Sequence, residues 1–269
     1  MQIPDQGPVV VGVGDPATDA AAVRLAAREA CSRGRVLQVV HAFTGPGDAG
    51  WGQARRAASH LVEEAVSIAK RSTPGVDARP QLVDGPPGRV LLRTSRGAVL
   101  VVIGGPLVEV VARAWCPVAV TRAQRTPSGP VVAAVDGSPY ATLALRFAME
   151  AAGRRGGSVY AVHVTEPERE AEGERVLDEV LARVADATAV RRRILIGHPG
   201  AALARVSRKA GLLVLGPRGE HVSGRLGTVA GEVLRRAVGP AVFVHGARRP
   251  AAFVKPGDDV PVLLPLTHT

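Results

Sequence analysis

Apolar residues fall in blocks along this chain rather than alternating singly with polar ones. Val9 to Val13 is a continuous run dominated by valine, the mark of a strand buried on both faces in a parallel sheet. Residues 17 to 33, rich in alanine and arginine and free of proline, predict a helix, and Val36 to Phe43 predicts a second strand that ends near His41. Gly45 to Gly52 reads as a loop. Leu61, Val62, Ala65 and Ala69 then recur at helical spacing, so 53–71 is predicted as an amphipathic helix. A short strand near Gln81 to Val83, a helix near Gly88 to Ser95, a strong strand at Val99 to Ile103, a short helix and a last strand at Val118 to Val120 follow.

The pattern then starts again. A shift of 122 places Val9–Val13 on Val131–Val135, Gly34 on Gly156 and His41 on His163. A shift of 112 places Gly85 on Gly197, Ser95 on Ser207 and Gly104 on Gly216, and a shift of 123 places Pro117 on Pro240. The chain is a duplication, and its alternation of strands and helices argues an α/β fold with two doubly wound parallel sheets. Prolines and glycine near Arg125 to Gly129 mark the joint, which gives domains at 7–123 and 129–246. Prolines at 250, 256, 261 and 265 predict an extended or disordered tail over 247–269.

The two halves differ most in one interval. Twelve residues separate Gly104 from Pro117, and twenty-three separate Gly216 from Pro240. The additional residues are essentially a glycine-rich turn, Gly216 to Thr228, between an apolar strand and the helix predicted at Val229 to Ala237. Glycines 216, 219, 224 and 227 allow backbone N–H groups to converge on one point, and Thr228 adds a hydroxyl at the helix start, which is the chemistry of an anion cradle. Clustered glycines by themselves also fit a ligand-free surface loop. Arg218, His221 and Arg225 are placed to neutralise phosphate from within the loop or to be solvated.

Asp136 follows the first strand of the second half, where an open α/β sheet opens onto its ligand crevice. Its carboxylate suits a ribose hydroxyl or a base amine; its other use, capping the next helix, suits Ser138 better. Gly12-Val-Gly-Asp-Pro-Ala17 formally fits a dinucleotide-binding turn, but the acidic residue required about 20 positions on is replaced by His41-Ala-Phe, which rejects it. His41 and His163 read as packed or surface residues. No second carboxylate or nucleophile is placed near the cradle, so the chain is expected to bind rather than catalyse, with Glu220 alone available to hold magnesium or act as a base.

Charge and composition narrow the partners. The net charge of +10 is almost wholly arginine, because only Lys70, Lys209 and Lys255 are lysines. Aromatics are 3% and the tightest basic run is Arg191 to Arg193, which argues against a nucleic-acid surface. Cys31 and Cys116 have no zinc or disulfide spacing and suit a reducing cytoplasm. No apolar run approaches about 18 residues and no basic leader precedes one, so neither export nor a membrane span is expected.

Val135-Asp-Gly-Ser-Pro139, Val162-His-Val164, Gly197-His-Pro199, the stretch Leu212 to Thr228 and Gly239-Pro-Ala-Val-Phe-Val244 together resemble a universal stress protein of the tandem type. Val39-Val-His41 and Trp115-Cys-Pro-Val-Ala-Val120 carry the same likeness into the first half, so it covers roughly residues 7 to 246. The resemblance implies Rossmann-like five-stranded sheets and a stress-response or signalling role. It also implies a site for ATP, with or without Mg, or another adenine nucleotide. By position, Gly216, Gly219, Gly227 and Thr228 match the family's G-x2-G-x9-G-[ST] phosphate pattern, with Arg218 beside them, while Asp136 and the backbone at Val164 would hold the adenosine. Seven residues rather than nine lie between Gly219 and Gly227, and a nucleotide-free scaffold acting through protein contacts is the alternative that departure leaves. The first half has Gly14 in place of the aspartate and no phosphate loop, so it is not expected to bind ATP. Val118-Ala-Val120 and Val242-Phe-Val244 would be open apolar edges; the resemblance implies that they pair as an internal pseudo-dimer, with room for a homodimer beyond it.

Overall fold

Short valine-rich strands cannot hide both faces alone, so each is flanked by neighbours and covered by helices above and below. The computed structural model describes residues 6–45, 50–122, 128–219 and 225–246. Its first half runs β1 (Val9–Gly12), α1 (Pro16–Ser32), β2 (Leu37–Phe43), α2 (Trp51–Ser72), β3 (Ala78–Asp84), α3 (Pro87–Thr94), β4 (Leu100–Ile103), α4 (Val108–Arg113) and β5 (Val118–Val120). The second runs β6 (Val131–Ala134), α5 (Pro139–Arg155), β7 (Val159–Thr165), α6 (Glu170–Ala182), β8 (Val190–Ile196), α7 (Pro199–Val206), β9 (Leu212–Leu215), α8 (Thr228–Arg236) and β10 (Ala241–Phe243). Residues 123–127 of the expected joint and the tail from 247 lie outside the described residues.

Two findings bear on the expected picture, one correcting it and one bearing it out. First, β3 is seven residues long rather than three, because it pairs with β2 from Ala78 to Asp84 although Arg79, Pro80 and Gln81 are exposed. A polar stretch with proline carries no strand pattern, and it is tolerated here because β3 is an outer strand with one side unpaired. Second, the two five-stranded parallel halves merge into a single ten-stranded sheet, in the order β3-β2-β1-β4-β5-β10-β9-β6-β7-β8. Every neighbouring pair is parallel except β5 and β10, which run antiparallel with Val118 opposite Phe243 and Ala119 opposite Val242. The last strands therefore do cover each other's edge.

Side chains of β1 show the double winding. Val9 and Val11 point into a core shared with α1 and α2, whereas Val10 points to the other face, among residues of α3 and α4. The joint is reinforced by two contacts related by the repeat. Arg122, just after β5, donates to the carbonyls of Leu234 (2.8 Å) and Arg235 (3.0 Å) at the end of α8. His245, just after β10, donates from Nε2 to Val111 O in α4 at 2.8 Å. A shift of 123 relates Arg122 to His245 and Val111 to Leu234.

A third link lies between α1 and α5. Glu29 is 5% exposed. It pairs with Arg33 of its own half and, at 2.6 Å, with Arg155 of the other, and Arg155 also donates to Gly211 O. The Arg33 guanidinium lies 5.6 Å from the Phe147 ring centroid. Burial pushes the Glu29 carboxyl upward, but the charges and hydrogen bonds of Arg33 and Arg155 outweigh it and hold the group below its ordinary value of 4.5. Burial and neighbouring arginines depress Arg28 and Arg154 in the same region, where Glu29, with Glu150 beside Arg154, offsets a local excess of cations.

Two outcomes follow. Glu29→Gln should destabilise the chain by about 3–5 kcal/mol, because it leaves partly buried guanidinium groups without their counter-charge. As the folded value is the depressed one, that contribution is present above about pH 4.5 and lost as pH falls through the folded value, so denaturation curves of wild type and variant should converge in acid. A chain cut to residues 129–246 exposes the edge of β10 and should self-associate; light scattering showing a stable monomer would contradict this.

Candidate functional site

The site is built where β6, β7 and β9 end. After β6 the chain turns at Gly137, whose φ of 83° favours glycine, and enters α5 through Ser138 and Pro139. Ser138 caps the helix by accepting from Ala141 N, and Asp136 Oδ1 accepts from both Ser138 N (3.1 Å) and Ser138 Oγ (2.6 Å). The cap is thus Ser138, with Asp136 bracing it. Asp136 Oδ2 lies 3.5 Å from the point where a Cβ on Gly219 would sit, so the exposed carboxylate leans toward the glycine-rich turn.

Strand β7 supplies Val162, His163 and Val164. His163 Nδ1–H donates to Val135 O at 2.7 Å, and His41 makes the matching bond to Val13 O at 2.8 Å in the first half. Each imidazole fastens one strand end to its neighbour, in keeping with packed residues. With Nδ1 protonated, the neutral ring leaves Nε2 as an acceptor.

The glycines of the turn have different reasons to be glycine. A Cβ on Gly216 would lie 2.7 Å from Tyr140 Cβ, and one on Gly227 would lie 3.1 Å from Arg218 Cα. Both positions are close approaches of backbone to neighbouring atoms. Gly227 N donates to Pro217 O at 2.9 Å, which closes the turn where α8 begins. The first residues of α8 line the cleft, which puts the helix's unpaired amides and the positive end of its dipole at the cleft.

Arg218 is the unusual residue. It is only 6% exposed, its guanidinium is 5.4 Å from the Tyr140 ring centroid, and its Nε is buried with no hydrogen-bond partner among the described residues. No salt bridge joins it to a carboxylate among the described residues. A buried cation held this way is costly until an anion meets it.

All seven residues singled out from the sequence, Asp136, Val164, Gly216, Arg218, Gly219, Gly227 and Thr228, line one cleft of about 250 Å³. Arg225 is exposed and not among the lining residues; Glu220, His221 and Gly224 lie outside the described residues. Sequence reasoning missed the apolar walls, Val135, Val162, Leu203 and Leu215, and the Tyr140 ring beneath Arg218. Val135, Val162 and Leu215 stood only within the motifs that carry the family likeness, and Leu203 was not singled out. A polar groove of about 610 Å³, lined by Thr165, Glu166, Arg169 and Glu172 among others, shares Asp136, His163, Val164 and Pro199 with the cleft and extends it.

Among the described residues no group of three or more His, Cys, Asp or Glu side chains could hold a metal, and no helix is long and apolar enough to cross a membrane. Cys116 is buried, and desolvation raises its thiol to about 12, which leaves it unreactive.

Comparison with known proteins adds to this geometry. The model of the universal stress protein family matches residues 128–245. A universal stress protein of Mycobacterium tuberculosis H37Rv is 30% identical over 286 residues, covering 88% of this chain and 96% of the relative. One from Mycolicibacterium smegmatis is 27% identical with the same coverage. Among solved structures, a universal stress protein from Archaeoglobus fulgidus matches 91% of this chain and 99% of its own with a TM-score of 0.70 at 18% identity, a likeness of fold.

Replacing Arg218 by methionine keeps volume and removes an unsatisfied buried cation. The ligand-free protein should gain about 1 kcal/mol or more, read as a higher Tm. A fall in Tm would mean that the guanidinium is a structural tie instead.

Proposed function

This chain belongs to the universal stress protein family, and we propose that its second half binds an adenine nucleotide, ATP, and acts through that binding rather than by turnover. The observation that carries the reading is Arg218: a buried guanidinium with an unpaired Nε stands in a cleft walled by glycines and opened by a helix N-terminus. That combination fits a phosphate chain. Gly216, Gly219, Gly227 and Thr228 would receive the phosphates, with Arg218 neutralising them. The apolar walls Val135, Val162 and Leu203 suit the base, and Asp136 suits the ribose hydroxyls.

Mg-ATP should raise the Tm of the full chain, since a ligand at about 100 times its Kd adds roughly 2.7 kcal/mol. Gly227→Val, which drives a side chain toward Arg218, should abolish the rise, and Asp136→Ala should weaken it. Asp15→Ala in the first half removes the cap that accepts from Ala17 N and Thr18 N, so it should lower the starting Tm but leave the ATP response intact. No response of the wild type at millimolar nucleotide, or equal losses in both aspartate variants, would favour a nucleotide-free scaffold.

A further inference from the structure

The first half lacks the glycine-rich turn, yet it keeps a cleft of about 360 Å³ at the ends of β1, β2 and β4. Its walls correspond to those of the second half position by position. Val13, Val40, His41, Pro87, Leu91 and Ile103 stand where Val135, Val162, His163, Pro199, Leu203 and Leu215 stand in the other cleft. The base-sized apolar slot has survived duplication; the phosphate end has not. Only Gly104 to Leu107 separate β4 from α4, and Leu107 itself lines the cleft.

The missing aspartate has a stand-in. Gly14 occupies the position of Asp136, but Asp19, in the first turn of α1, reaches back so that its Oδ2 accepts from Gly14 N at 2.7 Å and Asp15 N at 3.2 Å. A Cβ on Gly14 would sit 3.6 Å from that oxygen, and a Cβ on Gly104 would run into Asp19 Oδ1. The carboxylate therefore spans the ends of β1 and β4, held by two backbone amides. In the second half the ends of β6 and β9 carry Asp136 and the start of the cradle. With Asp19 and His41 Nε2 the cleft offers acceptors, and Asp19 is a negative charge where a phosphate chain would begin.

From these features we infer that the first half is a second ligand site, for a phosphate-free nucleoside of the adenosine type. The base lies between the apolar walls and the ribose hydroxyls donate to Asp19. Nucleotides are turned away by the same carboxylate, because two anions at hydrogen-bond distance in a partly desolvated cleft repel. The inference rests on the reading of the second half only in taking the shared walls as those of a nucleobase.

The test is equilibrium dialysis of the full chain with labelled adenosine and, separately, with Mg-ATP. In an Asp136→Ala background, which weakens the second-half site, adenosine should still bind. Adding Asp19→Ala should then weaken adenosine roughly tenfold to a hundredfold, the loss of hydrogen bonds to a charged acceptor. Adding Ala42→Leu instead, which fills the slot without touching Gly14 or Asp15, should also remove it, and this variant serves if Asp19→Ala fails to fold. Excess ATP should not displace the Asp19-dependent adenosine. Absence of adenosine binding in the Asp136→Ala chain, indifference to both added substitutions, or displacement by ATP as readily as by adenosine would overturn the inference. If ATP fails to bind the wild type while Asp19-dependent adenosine binding persists, the reading of the second half falls and this one stands.

Discussion

An open parallel sheet that ends on a short apolar strand has an edge that must be covered, and here each half covers the other's. The antiparallel ladder of β5 on β10 is three residues a side, yet the arrangement of everything else depends on it. It turns two sheets into one, makes β3 and β8 the outer strands among the described residues, and brings α1 against α5, where Glu29 and Arg155 meet. Because the pairing is antiparallel, the strands of one half point opposite to those of the other. The two clefts, both at carboxyl ends of parallel strands, thus open on opposite rims of the ten-stranded sheet.

The two rims have kept different parts of one design. On the second, Arg218 is buried and its Nε donates no hydrogen bond among the described residues, the observation on which the proposed phosphate site rests. On the first, Asp19 restores a carboxylate that the Gly14 position lost, five residues later in the chain. A carboxylate at either address can brace the strand-to-helix turn. Only one address is followed by a cradle.

Much of the fold was legible because β1, β4, β6 and β9 are buried on both faces and need continuous apolar runs, which the repeat then shows twice. The outer strand β3 was only partly legible: half its side chains are solvated, and its pairing with β2 rather than its own pattern makes it a strand. The glycines and Asp136 were readable from spacing and position at a strand end. The burial of Arg218 against Tyr140 was not, since arginine in a loop ordinarily faces water and nothing local signals that it is covered. Asp19 was hidden for a similar reason: it reads as an acidic residue in a first helical turn, and only the fold brings it over Gly104.

The jump in repeat register from 112 to 123 acquires a mechanical meaning from the joint. The closing turns of α4 and α8 are held across it, Val111 by His245 and Leu234 by Arg122, and β5 and β10 are locked in their ladder just beyond. Neither those turns nor the strands can slide without unfastening both halves. The opposite ends of the same two helices face a rim and bear no such tie across the seam among the described residues. An insertion or deletion ahead of these helices changes a strand-to-helix connection away from the seam and leaves the seam undisturbed, which fits the difference in length between the halves lying there instead of behind the helices. The seam behaves as a fixed hem, and the rims that carry the two clefts are the parts of the molecule free to be recut.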